Sequence, residues 1–325
     1  MRVVTFGETM LRLSPPGYQR IVQAEQFEIT IAGTESNTAA VLAQLGVSVA
    51  WLSRLPDNPL GHLVAQRLRA LGVDVGHVRW DRDSRLGLYF MEAGVTPRPT
   101  RVHYDRKDSA MSRWQPGEWD WHKVLKGASL LHATGITPAL SPNCLAATRE
   151  ALQIAHEMQV AVSFDLNYRS LLWSAEEARR AIEPLLSLLQ VLIVSPADAR
   201  TVLRVEGADD AIAQLVQQRY GIPVVATPLR DQPSATMGRR YSVIATSEEV
   251  MQSEGVPFEV IDPIGSGDAY DAGFLYGYLR GDLALAMQCA DALSALKHTV
   301  PGDMLYTSHA ELEQLLAGTP RGIIR

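Results

Sequence analysis

The sequence predicts an α/β protein in which helices cover both faces of a mostly parallel central sheet, with a small separate β-sheet beside it. Short apolar runs alternate with segments of helical periodicity along most of the chain, which is the pattern of successive βα units. Two stretches, at about 11–31 and 86–106, break this alternation because they read as extended segments without a helix. We expect them to form a lid that excludes water from a reaction site. No repeat or Gly/Ser-rich linker divides the chain, so a single domain is predicted over residues 1–325.

Each predicted element rests on a local pattern. The core strands are short apolar runs bounded by turn residues, and the helices carry apolar residues at helical spacing. The strands are predicted at 3–6, 47–52, 130–134, 161–165, 191–194, 224–227 and 258–261. The helices are predicted at 35–45, 60–71, 144–158, 175–188 and 208–219, with two more after Ser266.

Composition and charge exclude several classes of function. The chain has 325 residues, of which 46% are hydrophobic, enough for a substantial core. A net charge of −6 without a cluster of Lys and Arg argues against a nucleic-acid partner. No signal-peptide pattern and no membrane-length apolar run occurs, so we expect a cytoplasmic protein with no membrane partner. Cys144 and Cys289 lie far apart with no ligand at metal spacing, so we expect buried thiols.

Gly265 and Gly267 are predicted to lie on a turn between an extended run and a helix. Glycines there permit backbone conformations closed to other residues, and the first unpaired amides of the helix point outward at the positive end of its dipole. Such a turn can bind an anion. Asp268 lies in the first helical turn and has two interpretations: a carboxylate that caps the helix, or a base beside the bound anion.

The sequence DPIGSGDAYDAGF at residues 262–274 resembles the C-terminal signature of the ribokinase-like (PfkB) sugar kinases. It has neither the ending of a P-loop nor the spacing of a dinucleotide site. The resemblance implies a ribokinase-like three-layer α/β/α fold, phosphoryl transfer from ATP with Mg²⁺, and a sugar or sugar acid as the small-molecule substrate. It also implies that Asp268 takes the proton from the sugar hydroxyl and that the amides of Gly265, Ser266 and Gly267 form the anion hole. Gly265 and Gly267 would then also contact the phosphates of the cofactor.

A second motif lies at the start of the first predicted helix. Gly33, Thr34 and Asn37 fit a helix entry with a Thr cap, which is the simplest interpretation. The segment also resembles the N-terminal signature of the same family, with Ala32 in place of its first glycine. That resemblance places Gly33, Thr34 and Asn37 in the sugar site, where the Asn amide can both donate to and accept from hydroxyl groups.

Two tyrosines and an arginine lie in the predicted lid. Alternation along the extended runs places Tyr89 on one face of its strand, and Tyr104 and Arg106 together on one face of theirs. A surface charge pair would also explain Arg106. An arginine in the lid would suit a substrate with a carboxylate, because guanidinium binds carboxylate through paired, charge-assisted hydrogen bonds.

Arg169 ends a polar segment, residues 165–169, that follows a predicted buried strand. Open α/β sheets bind ligands at the carboxyl ends of their strands, although a turn with solvated charges is the alternative interpretation. Together with residues 135–142, the segment is most similar to the 2-keto-3-deoxygluconate kinases of the PfkB family. That resemblance makes Arg169 a second contact for a sugar acid, and it places Asp303 near the closure of the sugar pocket.

The nucleotide side of the sequence departs from the family pattern. Ser195 and Asp198 stand where the family has Asn-x-x-Glu, so the resemblance gives Ser195 a cofactor contact and Asp198 a water-mediated role in holding Mg²⁺. A serine N-cap followed by proline explains the same residues structurally. The glycines that usually pack against the ATP phosphates are missing from residues 225–235. Thr227 and Arg230 are the candidates there for a hydroxyl and a cation facing phosphate oxygens.

The resemblance also places Asp262 and the loop at 297–302 where relatives bind a monovalent cation such as K⁺. The expected function is ATP-dependent phosphorylation of 2-keto-3-deoxygluconate or a related sugar acid. Two alternatives stay open: a kinase of a neutral sugar of the fructose or ribose type, and a kinase-fold sugar-binding regulator that has lost productive ATP binding. The exposed edges of a lid sheet would favour a homo-oligomer, a dimer or higher.

Overall fold

The structure is a computed structural model that describes residues 1–318. Strands and helices alternate along the chain as the sequence predicts. The strands are β1 (Arg2–Phe6), β2 (Met10–Ser14), β3 (Glu28–Ala32), β4 (Ser48–Leu52), β5 (Arg54–Pro56), β6 (Arg79–Asp81), β7 (Leu88–Glu92), β8 (Arg101–Asp105), β9 (Leu130–Thr134), β10 (Ala161–Asp165), β11 (Val191–Ile193), β12 (Val224–Asp231), β13 (Met237–Ala245), β14 (Val250–Gln252) and β15 (Val256–Glu259). The helices are α1 (Thr34–Gln44), α2 (Pro59–Ala70), α3 (Trp121–Leu125), α4 (Ile136–Ala139), α5 (Pro142–Glu157), α6 (Ala175–Ile182), α7 (Pro196–Thr201), α8 (Ile212–Tyr220), α9 (Ser266–Tyr278), α10 (Leu283–His298) and α11 (His309–Leu316).

The central sheet has the strand order β14-β13-β12-β11-β10-β9-β1-β4, and β15 pairs with β13. Within this sheet, β4, β1, β9, β10, β11 and β12 pair in parallel with their neighbours in that order. Strand β13 pairs antiparallel with β12, β14 and β15. Val3 and Val4, adjacent in β1, pack into different hydrophobic clusters. Because successive side chains of a strand point to opposite faces, the sheet is covered on both sides. This confirms the predicted α/β fold with a mostly parallel sheet.

The antiparallel edge of the sheet differs from the prediction. The apolar pattern predicts that one strand ends at residue 227, but β12 continues to Asp231 and pairs with β13. The core strand predicted at 258–261 is instead the edge strand β15, in which Pro257 has no N–H to donate to a second ladder. The helix predicted at 175–188 ends earlier, because the chain changes to a 3₁₀ helix at Glu183, next to Pro184.

A second sheet, called the lid sheet below, has the strand order β3-β2-β7-β8. Parallel pairing of β2 with β7 joins the two extended stretches that the sequence predicts. Met10, Ala32, Tyr89 and Met91 form a small apolar cluster on it, and Ile264 packs against this cluster. The lid sheet therefore contacts the segment that leads into α9. None of the helices in residues 1–318 has both the length and the apolar character needed to cross a membrane.

Candidate active site

Residues 263–267 form a turn, called the glycine turn below, that leads into α9. Gly265 has a φ of +85°, and a Cβ added to it would lie 1.8 Å from the carbonyl oxygen of Asp303, so the position requires glycine. No side chain in residues 1–318 caps this helix. The amide of Gly267 has no acceptor within that range, and a Cβ added to Gly267 would meet open space. The turn therefore offers backbone donors and room for an anion at the positive end of the helix dipole.

Asp268 follows the glycine turn and lines a cavity of about 850 Å³. Its Oδ2 accepts a hydrogen bond of 2.6 Å from Asn37 Nδ2. Burial raises the pKa of Asp268 to about 7, and the Asn37 bond opposes that rise. A carboxyl group with this pKa, beside free backbone donors, can accept a proton from an alcohol at neutral pH. Gly33 and Thr34 line the same cavity as Asn37, so the predicted sugar-site residues of α1 lie together with the predicted base.

Further carboxyl groups lie buried near Asp268. Burial and neighbouring carboxylates raise the pKa of Asp165 to about 7. Glu35 accepts hydrogen bonds of 2.8 Å from two threonine hydroxyls, and burial raises its pKa. Asp271 is 1% exposed. Burial raises its pKa most, and the negative charge of Asp165 raises it further. Sequence reasoning missed Glu35 and Asp271, although the spacing of Asp271 from Asp268 in one helix was an available signal.

The predicted lid residues lie in the cavity wall as a group. The rings of Tyr89 and Tyr104 are 5.5 Å apart between centroids, and the Arg106 guanidinium lies 5.7 Å from the Tyr104 centroid. Arg106 forms an ion pair with the buried carboxylate of Glu8, which also accepts a hydrogen bond from Ser109. Sequence reasoning missed Glu8, whose position just beyond β1 was the available signal. Part of the charge of Arg106 is therefore already balanced within the protein.

Arg169 also lines the cavity, in an exposed position after β10. Its guanidinium has no hydrogen-bond or ion-pair partner in residues 1–318, whereas that of Arg106 is paired with Glu8. Arg169 therefore keeps its donors available for a ligand carboxylate.

Asp303 lines the cavity, but its carboxylate is bound by protein groups. Oδ1 lies 2.8 Å from Arg12 Nη1, and Oδ2 accepts a hydrogen bond from the Tyr89 hydroxyl. Arg12 Nη2 lies 2.6 Å from Asp262 Oδ2, so one guanidinium bridges two buried carboxylates. Sequence reasoning missed Arg12, although its place between Leu11 and Leu13 in an extended run of the lid marked it for the opposite face of the strand.

Ser195 and Asp198, the predicted cofactor and magnesium residues, also line the cavity. Ser195 Oγ accepts a hydrogen bond of 3.1 Å from the Asp198 amide, so the serine is also the N-cap of α7. Arg230 lines the cavity too, opposite Arg240 on the neighbouring strand β13. Arg240 is a further cavity residue that sequence reasoning missed. Two arginine side chains thus lie where the family's usual glycines are missing.

The prediction that Thr227 contacts the nucleotide is wrong for this structure. Thr227 is fully buried in β12 and is not among the residues that line the cavity. The reason is the extension of β12, because the segment expected as a phosphate-facing loop pairs with β13 instead. Its side chain therefore points into the protein and not toward a ligand.

The family model described as pfkB family carbohydrate kinase matches residues 1–309. The chain belongs to the PfkB family. It is a carbohydrate kinase, a phosphotransferase with an alcohol group as acceptor, which confirms the resemblance and the enzyme class predicted from the sequence.

Several relatives of this PfkB kinase are similar over their full length. A 2-dehydro-3-deoxygalactonokinase of Haloferax volcanii is 40% identical over 99% of both chains. A 2-dehydro-3-deoxygluconokinase of Thermoproteus tenax is 32% identical over 97% of this chain and 94% of its own. The crystal structure of a 2-dehydro-3-deoxygluconokinase from Thermotoga maritima has a TM-score of 0.94 at 40% identity, over 98% of each chain.

ATP and Mg²⁺ are expected for a PfkB kinase, and the cavity has features that fit both. The open space at Gly267 and its free amide fit a phosphate group, and Arg230 and Arg240 add positive charge to the same cavity. In the described residues, no group of three or more His, Cys, Asp or Glu side chains is arranged to hold a metal ion. A Mg²⁺ ion held with ATP would therefore take most of its ligands from phosphate oxygens and water.

The expected site of a monovalent cation does not fit one. Lys297 Nζ donates hydrogen bonds to the carbonyl oxygens of Asp262, at 3.2 Å, and Val300, at 2.8 Å. Lys297 is fully buried. The oxygens that would coordinate K⁺ in the 262 and 297–302 segments already bind an ammonium group, so the structure does not support the predicted K⁺.

Proposed function

We propose that this kinase phosphorylates a 2-keto-3-deoxy sugar acid, such as 2-keto-3-deoxygluconate or its galactonate epimer, with ATP as the phosphoryl donor. The single observation that carries the sugar-acid assignment is the guanidinium of Arg169, which lines the cavity and has no partner in residues 1–318. The relatives of this kinase that are named 2-dehydro-3-deoxygluconokinase or 2-dehydro-3-deoxygalactonokinase support the same class of substrate.

Asp268 is the proposed base. Its Oδ2 is fixed by Asn37, and its pKa of about 7 lets it hold the proton of the sugar hydroxyl during transfer. Gly33 and Thr34, beside Asn37, bind the sugar hydroxyls, and Arg169 binds the carboxylate. Tyr89 and Tyr104 form the apolar wall of the sugar site. These contacts orient the hydroxyl oxygen toward the glycine turn.

The glycine turn is the proposed anion hole. The amides of Gly265 and Gly267 face the charge that develops on the transferred phosphoryl group, with the α9 dipole behind them. The Ser266 amide, also predicted in the anion hole, donates instead to the Pro263 carbonyl oxygen at 3.4 Å. Ser195 and Arg230 bind the nucleotide, and Asp198 binds water around Mg²⁺. When bound, Mg²⁺ supplies charge neutralisation to the phosphate oxygens. The lid sheet excludes water from the transfer.

A neutral sugar is the second candidate substrate, and the Glu8–Arg106 ion pair favours it. A neutralised Arg106 leaves the lid with less attraction for a carboxylate than the sequence alone predicts. The regulator without catalytic activity is not proposed, because Asp268 faces the cavity and the amide of Gly267 is free.

The two candidates are separated by Arg169→Met, assayed by ADP release with 2-keto-3-deoxygluconate and with fructose. For a sugar-acid kinase, kcat/KM for the acid falls by about 10- to 100-fold, as expected for charge-assisted hydrogen bonds of roughly 1.5–3 kcal/mol, while any activity on fructose is unchanged. Arg149→Met, an exposed arginine of α5 outside the cavity, is the control. A wild-type preference for fructose, with no effect of Arg169→Met, would establish the neutral-sugar kinase instead.

We further propose that the kinase is a cytoplasmic homo-oligomer, a dimer or higher. The support is the lid sheet, whose outer strand β8 is largely exposed and presents an unpaired edge within residues 1–318. Light scattering after size-exclusion chromatography measures the mass directly. A monomer at assay concentrations contradicts the oligomer and leaves the kinase assignment untouched.

A further inference from the structure

Lys297 lies in the last turn of α10, and its ammonium group is enclosed by backbone next to the glycine turn. Its two acceptors belong to different segments: Asp262 immediately precedes the glycine turn, and Val300 follows α10. A lysine with no exposure is rare unless its charge is paired and its donors are used. Lys297 is therefore part of a built site and not a surface cation.

The same two segments are joined by further bonds. The Gly302 amide donates to Asp262 Oδ2 at 3.0 Å, and the Asp262 amide donates to the carbonyl oxygen of His298 at 3.0 Å. Gly265 then packs directly on the carbonyl oxygen of Asp303, where no Cβ would fit. The loop after α10 is thus the support on which the glycine turn rests. Lys297 binds the start of the turn to that support.

The ammonium of Lys297 offsets negative charge in the cluster formed by Arg12, Asp262 and Asp303. Asp262 and Asp303 are buried carboxylates, and Arg12 pairs with both of them. One guanidinium against two carboxylates leaves one buried negative charge, which the ammonium of Lys297 offsets. K⁺ and an ammonium ion carry the same charge and have similar size, and both are bound in proteins by carbonyl oxygens.

We propose that Lys297 is a positioning residue that takes the place of a monovalent cation at the glycine turn, so that this kinase works without K⁺. The inference rests on the proposed role of the turn as the anion hole. Lys297 fixes the turn so that its amides keep their direction, and it adds one positive charge behind them. It does not touch the substrate. The class of ligand that the site would accept in the absence of the lysine is a small monovalent cation.

The test compares wild type and Lys297→Ala in choline, K⁺ and NH₄⁺ chloride at one ionic strength, because choline is too large for the site. Wild-type kcat is expected to be the same in all three salts, within about twofold. Lys297→Ala is expected to lose about 10²-fold or more of kcat in choline, the loss typical of a disturbed oxyanion hole, with a much smaller change in KM for the sugar. K⁺ or NH₄⁺, but not choline, is expected to restore about tenfold or more of that kcat. Lys126→Ala, an exposed lysine near the opposite edge of the sheet, is the control for loss of a lysine.

Thermal unfolding gives a readout that does not depend on turnover. K⁺ is expected to raise the Tm of Lys297→Ala above its value in choline and to leave the wild-type Tm unchanged, because a ligand stabilises the folded state that binds it. If this Tm shift occurs but no tested sugar is phosphorylated, the proposed substrate is wrong and the role of Lys297 stands. A folded Lys297→Ala with no response to K⁺ in Tm or kcat overturns the inference.

Two further outcomes also decide it. Activation of the wild type by K⁺ of about tenfold or more overturns the inference without any variant, so the test survives if Lys297→Ala does not fold. Lys297→Met keeps the apolar stem and removes the charge, and it is expected to lose kcat without recovery in K⁺ because the stem fills the space. If the kcat of Lys297→Met equals that of the wild type, the inference is also overturned.

Discussion

Arg12, on strand β2 of the lid sheet, places its Nη2 2.6 Å from the carboxylate of Asp262, the residue before the glycine turn. The other terminal nitrogen of the same guanidinium binds Asp303. The lid sheet and the proposed anion hole are therefore joined by a buried, charged contact as well as by the apolar packing of Ile264.

Arg12→Met tests the importance of this contact for stability. The variant removes the guanidinium that pairs with both buried carboxylates, and loss of one partner of a buried ion pair costs about 3–5 kcal/mol. We expect a decrease of that size in the free energy of unfolding measured with urea. Arg82→Met, which removes an exposed ion pair with Asp57, is the control and is expected to change little. Equal decreases in the free energy of unfolding for the two variants would mean that the buried Arg12 contact stabilises the protein no more than an exposed ion pair does.

The two glycines of the turn are expected to respond to alanine in opposite ways. Gly265→Ala places a methyl group onto the Asp303 carbonyl oxygen at a left-handed φ, so the unfolding free energy is expected to fall by about 3 kcal/mol or more. Gly267→Ala meets open space within a helix, where alanine is favoured over glycine by about 0.5–1 kcal/mol, so stability is kept or increased.

Activity separates the two glycines further. The Gly267→Ala methyl group occupies the room left for the phosphoryl group, so we expect kcat to fall by about 10²-fold or more in a fully folded protein. Unfolding curves and ADP-release assays of the same preparations provide both measurements. A stable Gly267→Ala enzyme with normal kcat would place the transferred group elsewhere.

The sequence predicts the scaffold well because alternation and helical spacing are local properties. Nearly every predicted strand and helix lies within a few residues of its observed position, and the glycine turn lies at the predicted helix start. Most predicted site residues line one cavity, since motifs at the carboxyl ends of parallel strands converge on one edge of the sheet.

The partners of those residues could not be predicted in the same way. Arg12 and Asp303 are 291 positions apart, and nothing local to either residue marks the contact. The sequence around Lys297 indicates only an amphipathic helix. The bond from its ammonium group to the loop after α10 is visible only in the structure. Thr227 was misplaced because the length of β12 is decided by its pairing with β13, and a single-strand pattern does not contain that information.

Asp268→Asn tests the proposed base. The amide fills the same space but cannot accept the proton, so kcat is expected to fall by about 10²–10⁴-fold with sugar binding retained. Asp282→Asn is a matched control, because Asp282 caps the start of α10 through a bond to the Leu285 amide and asparagine caps equally well. Steady-state kinetics and calorimetric titration with sugar measure both properties. Near-normal kcat in Asp268→Asn would remove Asp268 from the mechanism.

The pKa of Asp268, raised by burial to about 7, predicts an acid limb in the activity profile. Below pH 7 the base is increasingly protonated, so kcat/KM is expected to fall by about tenfold per pH unit. Stability changes in the opposite direction. The folded protein binds the Asp268 proton more tightly than the unfolded chain does, because the pKa of an unfolded aspartate is about 3.9. This proton therefore stabilises the folded state. The stabilisation is complete below about pH 4 and is lost as the pH rises to about 7. A kcat/KM that stays constant between about pH 5 and 7 would contradict the assignment of Asp268 as the base.

Asn37 sets the position of that acid limb. Its amide donates to the carboxylate of Asp268 at 2.6 Å and thereby lowers the pKa that burial raises. Asn37→Ala removes the donor, so the Asp268 pKa is expected to rise and the acid limb of kcat/KM to move to higher pH, in addition to any weaker binding of sugar. Asn143→Ala, which removes an amide that donates to Gln115 at the surface of α5, is the control and should leave the midpoint unchanged. A midpoint that stays in place in Asn37→Ala while KM rises would show that Asn37 binds the sugar without tuning the base.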